Sequence, residues 1–548
     1  MKKFVLFNFL LLIVLGSFAQ QNSIKNVIVM IPDGTSTSLL SVARWYQTYQ
    51  NPSQSTLNMD AFVKGLVRTH SSDAPIGDSA PTTSCYMTGH PTQTGFVSTY
   101  PVKTDHDLVP VDAARAYQPV ATLLEASKQL KNKSTGLVFT CEFPHATPAD
   151  CAAHTYNRGA YDMIAPQMVH NNVDVVIGGG VSFLKEKDQN YLKEKGYSVY
   201  LDDYQGMRQC QKAPMWALYN PSSMPYEMER DAATTPSLAE MTQKALDLLT
   251  ADTDGFFLMV EGSKVDWAAH DNDAKAAITD FFAFDQACKV AFDFAQKDQH
   301  TLVVVLPDHG TSAMTIGSAY CSHGFDKLSL QQIMEPLDDY KLSLRTMAAK
   351  LKKTDTTQWP ALFQQYFNIE LQTAEMEYLQ MASDNDQSPQ PKELRKNNLS
   401  MVKILSQIVY GRTCIGFTTF GHTGENVFFA MYHPEGKELT GVHTNVEINQ
   451  YLKQQLGLAD DDLDKLTAAN FADYREVFDG YQCTIDSLAP YQYRLTVKNK
   501  KNTLIADSYT NIITVNKQKY ELNSVMIYFP KNQTFYVPKD LAKYLLVK

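Results

Sequence analysis

No two of the eight cysteines stand in C-x-x-C spacing, so the chain lacks the usual local motif for a zinc–thiolate knuckle or a dithiol redox centre. Basic residues are in the minority. The 49 Lys and Arg against 59 Asp and Glu leave a formal net charge of −10, which argues against nucleic acid as a main partner, since the phosphate backbone asks for a basic face. Small anionic ligands stay open, because bound divalent cations reverse the local sign. Long apolar runs are missing too. The N-terminal MKKFVLFNFLLLIVLGSFAQ is apolar only as far as Leu15, too short and wrongly flanked for a stable membrane span. Lys2 and Lys3 form a basic lead and Ser17 and Ala19 supply small residues for cleavage, so residues 1–19 read as a signal peptide. The mature chain then begins near Gln20 or Gln21 in an exported compartment, periplasmic or secreted. No Cys follows the apolar core, which sets aside lipid anchoring there. The triple glycine Gly178–Gly180 continues into no GxGxxG and reads as a turn, not a nucleotide cradle. Solenoid repeats and long low-complexity tracts are absent.

What is present is a core-forming chain of 548 residues, 44% hydrophobic. Apolar runs alternate with helix-like stretches from about Lys25 to Thr315, the signature of an α/β fold with a large, mostly parallel central sheet and helices on both faces. Further strands are expected at 173–180, 413–420 and 426–432. Between them lies a polar, helix-like insertion, residues 328–412, with 383–393 as a surface loop. It covers the site mouth, mediates association, or is a helical excursion with neither role. From residue 473 short β-like runs alternate with Asn/Lys turns, giving a small appended β-rich unit, 473–548, after a catalytic region of 20–472. Several of Cys85, Cys141, Cys151, Cys210, Cys288, Cys321, Cys414 and Cys483 sit in apolar surroundings, where Cys behaves as a small hydrophobe. Mostly free thiols are expected, and spacing sets no pairing.

Four of the apolar runs end in clusters of metal-ligand residues. NVIVMIPDG delivers Asp33, and VFTCEFPHATP delivers Glu142, His145 and Thr147. FFLMVEGSKVDWAAH delivers Glu261, Asp266 and His270, and TLVVVLPDHG delivers Asp308 and His309. Ligands of open α/β sheets bind outside the carboxyl ends of the strands, so these ends converge on one site suited to several divalent metals. In PIGDSAPTTSCYMTGHP, Pro81 and Gly89 bracket a helix from about Ala80 to Thr88. Ser79 stands at its N-terminus, where backbone N–H groups favour an anion. It reads either as a plain N-cap or, beside four ligand clusters, as a nucleophile whose alkoxide a zinc ion stabilises. The nucleophile is the better reading of the two.

The ordered set NVIVMIPDG, GDSAPTTSCYMTG, PHATPADCAAHTYNR, VEGSKVDWAAH, LPDHG and FGHTGENV resembles the alkaline phosphatase family, over about Lys25–Leu330 and Gly411–Lys453. The resemblance implies an enzyme hydrolysing phosphate monoesters through a phosphoserine, with two Zn2+ and one Mg2+, as a homodimer. It implies Asp266, His270 and His422 for a first zinc, and Asp33, Asp308, His309 and the Ser79 oxygen for a second. Asp33, Thr147 and Glu261 are implied for a third ion, usually magnesium, and Arg158 for gripping two phosphoryl oxygens. His145 and Trp267 depart from the commonest bacterial pattern of Asp and Lys; they leave the third ion open and put His145 and Trp267 behind the direct ligands. Glu142 reads as a solvated or salt-bridged carboxylate before a ligand, His154 as packed or capping, and His323 and His443 as rim residues at most. The alternatives are a phosphodiesterase or sulfatase of the same fold, or a metal-binding relative without activity. DSAPTT lacks the Arg of a C/S-x-P-x-R sulfatase site, and Ser79 and Arg158 together favour monoesters.

Overall fold

The computed structural model describes residues 24–388 and 399–546; the segment read as a signal peptide lies outside them. No helix among the described residues is long and apolar enough to cross a membrane. The first eight strands are β1 (Asn26–Ile31), β2 (Val63–Arg68), β3 (Ser134–Glu142), β4 (Val175–Gly179), β5 (Ser198–Leu201), β6 (Met215–Tyr219), β7 (Phe256–Glu261) and β8 (Thr301–Val305). Four two-residue straps follow: β9 (Gly310–Thr311), β10 (Thr315–Ile316), β11 (Ile415–Gly416) and β12 (His422–Thr423). β13 (Val427–Tyr432) and β14 (Gly441–Thr444) complete the series. A ten-stranded sheet has the order β14-β2-β13-β8-β1-β7-β3-β4-β6-β5. Only β13 runs against its neighbours, pairing antiparallel with both β2 and β8.

The inner strands are buried on both faces, as uniformly apolar parallel strands must be. Alternation along β1 divides the core. Ile28 and Met30 face a layer holding helices Thr37–Gln50, Leu238–Leu249 and Ala274–Asp298. Val27, Val29 and Ile31 face a layer holding helices Ser79–Thr88, Leu123–Lys131, Ala146–Ala152 and Tyr161–His170. The central sheet with helices on both faces is thus as the sequence pattern predicts.

Two local expectations change. Of residues 413–420 only β11 is extended, and it pairs with β10 outside the central sheet, because this stretch is the neck of the insertion. Within 383–393, Ser383–Asp386 complete the helix Thr373–Asp386, whose mostly solvent-facing polar residues imitate a loop; residues 389–393 lie outside the described ones. The insertion also packs inward. Met334, Leu344, Met347, Trp359, Phe363, Met401 and Leu405 join the same apolar core as Ile28 and Met30. At the C-terminal end, a five-stranded antiparallel sheet from Gln482 to Glu521 and a three-stranded one share a core of their own, including Leu495, Val497 and Ile513. Ile527 and Phe529 dock this unit on the second helical layer.

Candidate active site

The strand ends named in the sequence, Glu142 apart, deliver residues to one buried place. Asp33 follows β1 by two residues, Glu261 ends β7, and Asp308 and His309 follow β8. All four are fully buried. The turn after Asp33 is tight: the Gly34 N–H donates to Asp308 Oδ1 at 3.0 Å. Gly34 has φ +63, and a Cβ there would lie 2.3 Å from Asp266 Oδ1, so only glycine fits. Helix Lys264–His270 places Asp266 and His270 four apart on one face. β12 pairs with β9 in the register His422↔Thr311, which brings the insertion's far side back to the site.

Three groups have ligand atoms within 4.8 Å of one another: Asp33–Asp308–His309, Asp266–His270–His422 and Cys141–His145–Glu261. Their hydrogen bonding fits cations. His270 Nδ1 is 2.8 Å from the Phe420 carbonyl and His422 Nδ1 is 2.8 Å from the Gly77 carbonyl. A carbonyl only accepts, so each Nδ1 carries a proton and each Nε2 points inward. Those two Nε2 atoms lie 3.0 Å apart. Burial holds the His422 imidazole neutral, down to about 4, so its Nε2 keeps a lone pair, and Asp266 Oδ2 lies 3.5 Å from His270 Nε2. Asp308 Oδ2, Glu261 Oε1 and Thr147 Oγ1 are buried with no hydrogen-bond partner. Buried polar atoms normally have one, and ligation satisfies such atoms.

The charge balance points the same way. Burial, then Asp308, Asp266 and Glu261, push Asp33 well above the usual carboxylate range. Burial lifts Glu261 to about 8 and Asp308 to about 6. Asp266 is the exception: burial would raise it, but His270, His309 and His422 hold it near 2. Crowded carboxylates of this kind are a positive-ion site.

Ser79 opens the helix Ser79–Thr88, with Asp78 at the N-cap position and Gly89 left-handed after its end. Its Oγ lies 3.4 Å from Asp33 Oδ1 and 3.2 Å from His309 Nε2, at the edge of the Asp33–Asp308–His309 group. Asp78 gives no side-chain cap; its carboxylate instead receives Arg158 Nη1. Arg158 Nη2 donates to His145 Nε2 at 3.2 Å. Burial and then Arg158 push the His145 imidazole down to about 3, so it stays neutral and accepts.

The implied first set, Asp266, His270 and His422, comes together, as do Asp33, Asp308 and His309. Around Glu261 the structure gathers Cys141 and His145, with Cys141 Sγ donating to Glu261 Oε2 at 3.3 Å. His145 adjoins this group with its Nε2 turned to Arg158, and Trp267 stands edge-on to it with ring centroids 5.7 Å apart. Cys141 and Asp78 were not singled out in the sequence. Their only signals there are position, one residue before the end of β3 and one before Ser79. Glu142 accepts from Tyr161 Oη at 3.0 Å and belongs to none of the three groups. His154 lies two residues past helix Ala146–Ala152, paired with Glu125 at 3.1 Å. His323 is exposed, and His443 pairs weakly with Glu447 at 4.0 Å.

A serine at a helix N-terminus, an arginine and three buried carboxylate–imidazole groups at the carboxyl ends of a parallel sheet define a metal-dependent hydrolase of anionic esters. The family model for alkaline phosphatase matches residues 24–458. Alkaline phosphatase 3 of Bacillus subtilis is 34% identical over 443 residues, covering 78% of this chain and 88% of its own. The cold-active alkaline phosphatase of Shewanella sp. superposes with TM-score 0.65 at 25% identity, covering 79% of this chain and 99% of that one. A mutant of the alkaline phosphatase from the Antarctic bacterium TAB5, solved with Mg bound in its M3 site, superposes with TM-score 0.53 at 23% identity over 80% of this chain and 99% of that one. The chain belongs to the alkaline phosphatase family, whose members are phosphoric monoester hydrolases.

Proposed function

We propose that the chain is an exported, homodimeric alkaline phosphatase that cleaves phosphate monoesters of broad structure through a phosphoserine at Ser79, with two zinc ions and one magnesium. The observation that carries this reading is the setting of Ser79, 3.2 Å from His309 and 3.4 Å from Asp33, next in sequence to the Asp78 that holds Arg158. Asp266, His270 and His422 would hold one zinc, Asp33, Asp308 and His309 the other, and the oxygens of Asp33, Thr147 and Glu261 the magnesium. These cations would supply the positive charge that steadies the phosphoryl oxygens and the serine alkoxide.

The chain's own residues do the rest. Arg158 offers a planar fork to two phosphoryl oxygens, and Asp78 and His145 keep that fork aimed. Ser79 Oγ attacks phosphorus, forming the Oγ–P bond as the ester P–O bond breaks in line. Asp33 is within reach of the Ser79 hydroxyl proton. Water then attacks the same phosphorus from the side the alcohol left, and the Ser79 oxygen departs with a proton. A diester has one fewer free oxygen for Arg158, which favours monoesters.

The test is turnover of p-nitrophenyl phosphate beside bis-p-nitrophenyl phosphate and nitrophenyl sulfate, with metal analysis of the same sample. Monoester turnover should dominate. A preference for the diester or the sulfate overturns the reading.

A further inference from the structure

The neck of the insertion brings two cysteines together. β10 and β11 pair antiparallel in the register Thr315↔Gly416 and Ile316↔Ile415. The ladder continues one step, with the Gly317 N–H donating to the Cys414 carbonyl at 2.6 Å and Ser318 Oγ to the Thr413 carbonyl at 2.6 Å. The chain then turns back through the short helix Ala319–Cys321, where the Cys321 N–H donates to the Ser318 carbonyl at 3.3 Å. That turn carries Cys321 back toward the ladder step that ends at Cys414; both thiols are free, and each bears on the other electrostatically. The other cysteines are differently engaged. Cys141 Sγ is on Glu261, Cys151 Sγ on the Thr147 carbonyl, Cys210 Sγ on the Lys212 carbonyl and Cys483 Sγ on the Tyr481 carbonyl. Cys85 and Cys288 are wholly enclosed in the core.

We propose that Cys321 and Cys414 form a disulfide that staples the two ends of the insertion together. The oxidant is a disulfide donor, either an oxidised dithiol protein or glutathione disulfide. The Cys321 thiolate attacks one donor sulfur, forming a mixed disulfide and releasing one donor thiol. The Cys414 thiolate then attacks the Cys321 sulfur and releases the second. Two protein thiols are oxidised, the donor disulfide is reduced, and the two protons end on the donor's two sulfurs. Both cysteines are buried, Cys321 at 6% exposure and Cys414 at 3%, beside a groove lined by Ser318, Tyr320, Gln407 and Gly411 along which a donor would approach.

The thiols are not equivalent. Burial raises Cys321, but hydrogen bonds from Cys414 and the Ser318 backbone outweigh it and bring it below the usual thiol value. Burial and Cys321 push Cys414 up to about 12. Cys321 is therefore the attacking sulfur.

The staple's value lies in what the neck leads to. From β10 the chain runs back to Asp308 and His309, and from β11 it runs on to His422. The two arms are held side by side by the Ser312 N–H on the Gly421 carbonyl at 2.9 Å and the Thr418 N–H on the Ser312 carbonyl at 2.8 Å. A covalent link at the neck keeps the arms in register if the insertion opens locally.

The experiment uses the purified full-length chain in glutathione buffer rich in the disulfide form, alkylated under denaturing conditions and mapped without reduction. The free-thiol count should fall from the eight of the sequence by two, to six, with the Cys321 and Cys414 peptides joined. Cys321→Ser and Cys414→Ser should each keep seven thiols in the same buffer. The oxidised wild type should survive heating longer than its reduced form, and the two variants should show no such difference. Eight titratable thiols in oxidising buffer, a link to any other cysteine, or equal heat survival of the two wild-type forms overturns the proposal.

Discussion

Replacing Arg158 with Ala should cut monoester turnover far more than diester turnover. Two of the guanidinium's five N–H groups are committed in the structure, Nη1 to Asp78 and Nη2 to His145 at 3.2 Å, which leaves donors to spare for phosphoryl oxygens. The side chain is 27% exposed and Asp78 17%, so the contact is made in a largely desolvated setting. Losing one bidentate charge-assisted contact there costs roughly 2–4 kcal/mol of transition-state stabilisation. At about 1.36 kcal/mol per decade, that is about 30- to 1,000-fold in kcat/KM. Arg158→Lys keeps the charge and loses the fork, so it should fall between the two. The assay is kcat/KM on p-nitrophenyl phosphate and its bis ester for all three proteins, with thermal melts as a check on folding. Equal losses on both esters would mean that Arg158 only braces Asp78 and His145, and the phosphate-gripping role would be wrong.

Ser79→Ala should abolish the acid-trapped phosphoserine and lower turnover by about three orders of magnitude or more while the metal content stays nearly whole; phosphate trapped on another residue would sink the assignment. Dialysis against EDTA should remove activity, zinc should restore most of it, and magnesium should add a smaller increment. Full activity after such dialysis contradicts the three-ion reading. His422→Ala should lower bound zinc by about one ion per chain in elemental analysis, because it strips the Asp266–His270 group of its third member; unchanged zinc would remove His422 from the ligands. At the join with the C-terminal unit, burial holds His170 down to about 4, with Nδ1 2.9 Å from Asn511 Oδ1. An unfolded His protonates near 6.5, so the unfolded chain binds the extra proton between these values. Stability should fall as pH drops from about 6.5 to about 4, by at most about 3 kcal/mol. His170→Gln should flatten that limb in urea melts, and an unchanged pH profile would show that the imidazole is already charged in the fold.

What the sequence showed of this molecule follows the physics of each element. β1, β7 and β8 are legible because strands covered on both faces must be apolar throughout, and the residue that ends the run must be where the chain meets the site. Asp33, Glu261, Asp308 and His309 could therefore be placed before any coordinates. His422 could not be placed by periodicity, since β12 is two residues long and its position is set by pairing with Thr311 across the insertion; the FGHTGENV resemblance carried it. The insertion's core role was hidden for a related reason. Its helices are amphipathic and mostly polar in composition, and only packing shows that Trp359, Phe363 and Leu405 enter the same core as β1. Cys141 was invisible because a buried thiol in an apolar strand reads as one more hydrophobe.

If Asp308, His309 and His422 are the ligands proposed above, the insertion shows how a site can tolerate a large interruption between them. Asp308 and His309 precede it and His422 follows it, so its two ends must return to the same place to within the reach of an imidazole. Local contacts already ensure this: β9 with β12, β10 with β11, and the Ser312 bridges between them form a ladder that starts at the ligands and ends at the cysteine pair. Beyond that ladder the chain is free to vary, provided that it supplies apolar residues to the helical layer. Within the ladder, one residue of slippage would move His422 off Thr311 and turn its ring away from His270. Tolerance to change should thus rise with distance from the neck, and sensitivity should peak along β9–β12, where the pairing register sets ligand geometry.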